Sequence, residues 1–181
     1  MSKINQKIEE LTTEILLKND MLKVPVDIVK IANNYDINVY KGDLDKKISG
    51  AIRFFDNKFQ ILVNENDAKI RQRFTIAHEL GHYFLHKETL EKNQLLIDAI
   101  MYKTYDTELN ANKDEEKDAD YFAGALLMNE ILLRKIRNGN TITELAEIFD
   151  VSVSAMTVRL DVLGLLWTIK KIIKTTKNPQ K

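Results

Sequence analysis

A chain of 181 residues that is 44% hydrophobic and 30% charged is long enough to bury a core without covalent staples. It contains no cysteine, which excludes a disulfide framework, a thiolate metal site and a cysteine nucleophile. Basic and acidic residues balance at 27 each, so bulk charge gives no argument for a nucleic-acid or membrane partner.

Residues 1–18 carry scattered charges and no uninterrupted apolar stretch, so they do not read as a signal peptide. No segment reaches the roughly 18 consecutive apolar residues of a membrane span. The expectation is a cytoplasmic protein with no membrane partner. Ile4, Ile8, Leu11 and Ile15 recur at helical spacing, and Val26, Val29, Ile31 and Ala32 follow Pro25, a residue suited to a first helical turn. Two short helices are expected. Residues 37–40, 50–55 and 59–63 are rich in β-branched and aromatic side chains, and Asp56-Asn57-Lys58 supplies a turn between the last two. That pattern predicts a small antiparallel sheet ending in a hairpin. Asn66 can cap a long helix running to about His86, and a second helix is expected from near Asp114 to Met128. Gly139 closes a short helical piece, and Thr141 with Glu144 has the spacing of a capping box. Ser152 or Ser154 can cap the helix after it, which ends at Gly164.

The chemistry is concentrated in His78-Glu79-Leu80-Gly81-His82, an H-E-x-x-H inside a helical pattern. Histidines four apart lie one turn apart on one helix face, where both can reach a single ion. Glu79, rotated by about 100° from His78, flanks the ion, where a base must stand. Ile76, Leu80, Tyr83 and Phe84 supply the apolar face. Such a pair can also arise by accident on an amphipathic helix. What separates the two cases is a third ligand, since a catalytic zinc takes three protein ligands and keeps one position open.

The remaining histidine, His86, lies eight residues beyond His78, about 12 Å along a straight helix, and cannot share its ion unless the helix breaks. A carboxylate must serve. Glu116, Ala119, Asp120 and Ala123 fall on one helical face, and the small residues allow close approach at Ala77 and Gly81. Glu116 is therefore the expected third ligand. Asp120, one turn on, is expected to hold a ligand histidine by its free ring nitrogen. The competing reading is a solvated acidic helix start, which the helix dipole favours in any case.

The block from Phe74 through His78 and His82 to His86, followed by Glu116-Lys-Asp-Ala-Asp120-Tyr-Phe-Ala-Gly-Ala-Leu-Leu-Met128, resembles the ImmA/IrrE family of metallo-endopeptidases. The likeness covers most of the chain beyond about Pro25. It implies metal ligands at His78, His82 and Glu116 and a base at Glu79. Where the family usually has asparagine this chain has Asp120, and where it usually has proline it has Asn129. The fold class expected is α+β: a mostly helical zincin-like domain over residues 1–138 with a small antiparallel sheet. A helix-turn-helix-like unit over 139–166 and a basic tail over 167–181 follow.

The implied reaction is peptide hydrolysis at Zn2+, or Mn2+, with Glu79 moving the proton. His86, Tyr102, Tyr105 or Arg159 could stabilise the developing oxyanion, and the strand over 59–63 is either a substrate-pairing edge or an interior strand. By resemblance the substrate is a helix-turn-helix repressor whose cleavage derepresses phage, mobile-element or stress genes. The alternative is a DNA-binding regulator using residues 141–165. That segment carries Glu144, Glu147, Asp150 and Asp161 against Arg159 alone, a poor balance for neutralising phosphates.

Overall fold

A computed structural model describes residues 2–100 and 113–166. The chain divides into two compact units, one made of Met1–Val26 with Gly124–Lys181 and the other of Asp27–Ala123. These units do not follow chain order, whereas the division at residue 138 expected from sequence does.

The unit Asp27–Ala123 opens with α1's successor, a short helix over Ile28–Asn34 labelled α2, the helix over Lys3–Lys18 being α1. Asp27 caps α2 by accepting from the Lys30 amide, so Pro25 stands ahead of the cap and not in the first turn. Strands β1 (Asn38–Gly42), β2 (Gly50–Phe55) and β3 (Lys58–Asn64) form one sheet in the order β1-β3-β2. The hairpin is as expected: Asp56 and Asn57 take φ of 51° and 58°, the left-handed pair that a two-residue turn between twisted strands requires. The sheet as a whole is mixed, because β1 pairs parallel with β3, from Asn38 opposite Gln60 to Gly42 opposite Asn64. The reason lies in residues 43–49, which cross the end of β3 to reach its other side. Asn64, buried at that end, donates from its side-chain nitrogen towards the carbonyls of Leu44, Asp45 and Ile48 at 2.9–3.2 Å, and so meets the hydrogen-bonding needs of the crossing loop. The strand over 59–63 is therefore interior.

Helix α3 runs over Lys69–Ile100, with a break in helical geometry at His86 (φ −133°, ψ 24°). The break falls where the sequence predicts the end of the helix. Asn66 does not cap it, since its side chain donates to Asp43 at 2.7 Å. The face of α3 carrying Ile76, Ala77 and Leu80 is buried, as are Phe59, Ile61 and Val63 of β3. Tyr83 meets Phe59 edge to face, with ring centroids 4.9 Å apart. Helix α4, Lys113–Leu127, begins in this unit.

In the other unit, α1 is a full helix of 16 residues capped by Ser2. Helices α5 (Glu130–Ile136), α6 (Ile142–Phe149) and α7 (Val153–Val162) complete the set. Asn129, the departure noted above, caps α5 and donates to Thr13 at 2.9 Å. The capping box of Thr141 and Glu144 is formed. Ser152, rather than Ser154, caps α7. The core includes Ile8, Ile15, Leu16, Leu133, Leu145, Phe149, Met156 and Leu160. Arg159 lies within it, bidentate to Glu9 at 2.6 and 2.8 Å and donating to the Met128 carbonyl at 2.9 Å. The expected basic tail, 167–181, lies outside the described residues. Among those described, no helix is long and apolar enough to cross a membrane.

Candidate metal centre

Helical spacing puts His78 and His82 on one face of α3, and their Nε2 atoms come within 3.0 Å of each other. Helix α4 supplies the third group. Glu116 Oε2 stands 3.3 Å from His78 Nε2, and Oε1 stands 3.2 Å from His82 Nε2. The approach of the two helices depends on Gly81: a Cβ there would sit 3.0 Å from the Ala119 Cα and 3.1 Å from its carbonyl oxygen. Ala77, Ala119 and Ala123 are buried alongside. Asp120, one turn after Glu116, accepts from His78 Nδ1 at 2.9 Å. That bond turns the Nε2 lone pair of neutral His78 towards the centre, as an outer partner does for a ligating histidine.

Two tests of this donor set against a metal agree. Ligands at zinc–nitrogen and zinc–oxygen distances of about 2.0–2.1 Å occupy tetrahedron corners roughly 3.3–3.4 Å apart, close to the separations found. The second test is electrostatic. Two imidazole nitrogens and a carboxylate converging this closely favour a positive charge among them. Burial works against the charged form of His78, but the Asp120 hydrogen bond and the charges of Glu79, Asp120 and Glu116 outweigh it, so its pKa lies above 6.5. His82 is lowered to about 4 by burial and by the neighbouring His78 charge, partly offset by Glu116. Among the described residues, His78, His82 and Glu116 are the group whose ligand atoms converge within 4.8 Å. The side chains retain 17%, 14% and 44% of their exposure, which leaves one side open.

Glu79 is buried beside the centre. Burial raises its pKa to about 7; the His78 charge opposes this, Glu116 adds to it, and the backbone amide of Ile52 opposes it. Of the residues expected to stabilise an oxyanion, Arg159 is excluded by its commitment to Glu9 and Met128. Tyr102 and Tyr105 lie outside the described residues. His86 stands at the break in α3, its ring centroid 5.9 Å from that of His82, outside the convergent group. Its Nε2 is buried with no hydrogen-bond partner among the described residues.

A helix carrying H-E-x-x-H, a carboxylate from a second helix and a small mixed sheet at its side make up a His-His-carboxylate centre of the kind found in zinc peptidases. The chain belongs to the ImmA/IrrE family: the Peptidase M78 family, described as the IrrE N-terminal-like domain, matches residues 32–161. Metallopeptidase ImmA of Bacillus subtilis (strain 168) is 38% identical over 61 residues, a stretch covering 34% of this chain and 36% of that protein. In fold the chain is similar to a Mycobacterium tuberculosis transcriptional regulator, with a TM-score of 0.52 and 19% identity. That alignment covers 88% of this chain and 47% of the regulator. The chain thus spans about a third of one relative and about half of the other.

Proposed function

We propose that this protein is a zinc-dependent endopeptidase with His78, His82 and Glu116 as ligands and Glu79 as general base. The observation that carries the reading is the convergence of the two imidazole nitrogens and the Glu116 carboxylate at 3.0–3.3 Å beside a buried carboxylate whose pKa lies near 7. When bound there, zinc supplies Lewis acidity, acidifying water and polarising a carbonyl. The protein's own groups do the rest. Asp120 keeps the Nδ1 proton of His78 and so fixes the ring. Glu79, with a proton affinity matched to neutral pH, takes a proton from the attacking water and delivers it to the leaving amide nitrogen. The edge of β2, beside Glu79, is where an extended substrate segment would pair, in place of the interior β3.

Family membership supports a protein substrate, and the reading extends to a helix-turn-helix repressor acted on in the cytoplasm, with release of the genes it silences. Mn2+ is the alternative ion for the same donors. The competing role, direct DNA binding through α6 and α7, loses its one cationic contact, because Arg159 is buried against Glu9. The test is to incubate the zinc-loaded protein with candidate repressors and map any cut by mass spectrometry. Cleavage that is abolished by a chelator and restored by zinc is expected. Intact repressors under all metal conditions would overturn the reading.

A further inference from the structure

A histidine that binds a metal through one ring nitrogen almost always gives the proton on the other to a carboxylate, a carbonyl or water, and that bond fixes both its tautomer and the direction of its lone pair. His78 has such a partner in Asp120. Among the described residues His82 has none: its polar contacts, to His78 at 3.0 Å and to Glu116 at 3.2 Å, are both made through Nε2. Its side chain is only 14% exposed, which restricts the access of water to Nδ1. One turn further on stands His86 with the converse defect, a buried Nε2 that has no hydrogen-bond partner among the described residues. The two rings lie with centroids 5.9 Å apart, at 50° to each other. An N–H···N bond of about 3 Å brings the centroids of two imidazoles to about 5 Å, so the pair stands about 1 Å short of one. The break in α3 falls at His86 itself, where φ is −133° against about −63° in a helix. That difference turns the Cα–Cβ bond by about 70° from its helical setting, and the imidazole is not held to the rotamers that a continuing helix allows.

We propose that His86 is the outer partner of His82: with a metal on His82 Nε2, the His82 Nδ1 proton is donated to the Nε2 lone pair of neutral His86, as His78 donates to Asp120. The proposal rests on the reading of His82 as a metal ligand. It makes His86 a positioning residue that acts through His82, and it assigns both tautomers, since each ring then carries its proton on Nδ1. Two ring nitrogens that lack partners satisfy each other. It also removes His86 from the groups that could stabilise an oxyanion, because its Nε2 has no proton to give.

The experiment is 15N NMR of the imidazoles in the full wild-type chain titrated with zinc. Zinc should shift the Nε2 resonances of His78 and His82, place a proton on His82 Nδ1, and produce a coupling across the hydrogen bond between His82 Nδ1 and His86 Nε2. A His82 Nδ1 proton that exchanges with water and couples to no nitrogen would overturn the proposal, and so would a His86 that carries its proton on Nε2. Zinc titrations of variants give the second readout. His86→Ala should weaken affinity by about 10–100-fold, as loss of an outer partner does. His86→Phe, which keeps a ring but no acceptor, should lose as much, while His86→Gln, which keeps an acceptor oxygen, should recover most of the loss. Full affinity in His86→Phe would show that the ring only fills space. Zinc that shifted neither ligand nitrogen would overturn the metal-centre reading and this proposal together, whereas shifts of both with His86 uncoupled would overturn this proposal alone.

Discussion

In the proposed reading Glu79 and Glu116 put the same carboxylate to different uses, and the difference is one of surroundings. Glu79 is buried, whereas Glu116 places both oxygens within 3.3 Å of the imidazole nitrogens. Glu79→Gln should therefore retain metal, measured by elemental analysis, while hydrolysis falls by about 10²–10⁴-fold, the usual contribution of general acid–base catalysis. Glu116→Ala should lose most of its metal, whereas Asp118→Ala should keep it, since Asp118 is not in the convergent group. Asp120→Ala should weaken metal affinity or activity by about 10–100-fold through the His78 ring. Metal affinity should also depend on pH. A histidine whose folded pKa is raised holds its proton below that value, so zinc must displace the proton from His78. Zinc titrations should show affinity falling as pH drops, beginning above the ordinary histidine value of 6.5. Pairing of these residues was legible because helical spacing alone puts His78 with His82 and Glu116 with Asp120.

At the scale of elements, the centre depends on how closely α4 lies against α3, and Gly81 sets that distance. Gly81→Ala drives a methyl against the Ala119 backbone, and the helices must part to accept it. The expected cost is about 1–3 kcal/mol, as for other overpacked sites, together with weaker zinc binding. Gly124→Ala, in the same α4, meets an Arg159 side-chain carbon at 4.0 Å and nothing closer among the described residues. It should gain up to about 1 kcal/mol from helix propensity. Thermal unfolding with zinc titration would separate the two, and equal behaviour would mean that the close approach does not matter. The hairpin, the capping box and the break near His86 were legible, because turn chemistry and helix punctuation are local. The parallel pairing of β1 was not: alternation identifies a strand but not its neighbour, and only the path of the loop over Asn64 decides it. The start of α3 was misplaced because the Asn66 side chain finds a partner in Asp43, 23 residues away.

For the whole molecule, the largest gap between sequence and structure is Arg159, which sequence leaves free to contact DNA or a substrate. Its partner Glu9 lies 150 residues away, beyond anything that local pattern can report. The pair is almost fully buried, with side-chain exposures of 3% and 10%, so removing one member strands a charge. Arg159→Ala should cost about 3–5 kcal/mol in chemical denaturation, while a double replacement by apolar residues of similar volume should recover much of that loss. The same burial bears on the DNA-reading alternative. Val153, Ser154, Val158, Asp161 and Val162 are the exposed positions of α7, and none can neutralise a phosphate. The lysines at positions 170, 171, 174, 177 and 181 are the cations that follow α7 in sequence. DNA binding should therefore be weak, indifferent to sequence and lost by physiological salt. Deleting residues 170–181 should abolish it without changing metal content. Competition titrations on operator and random DNA test this, with Arg159→Ala assayed at a temperature where it remains folded. A salt-resistant preference for one sequence, lost in that variant, would mean that Arg159 leaves Glu9 to read DNA and that the regulator is the better account.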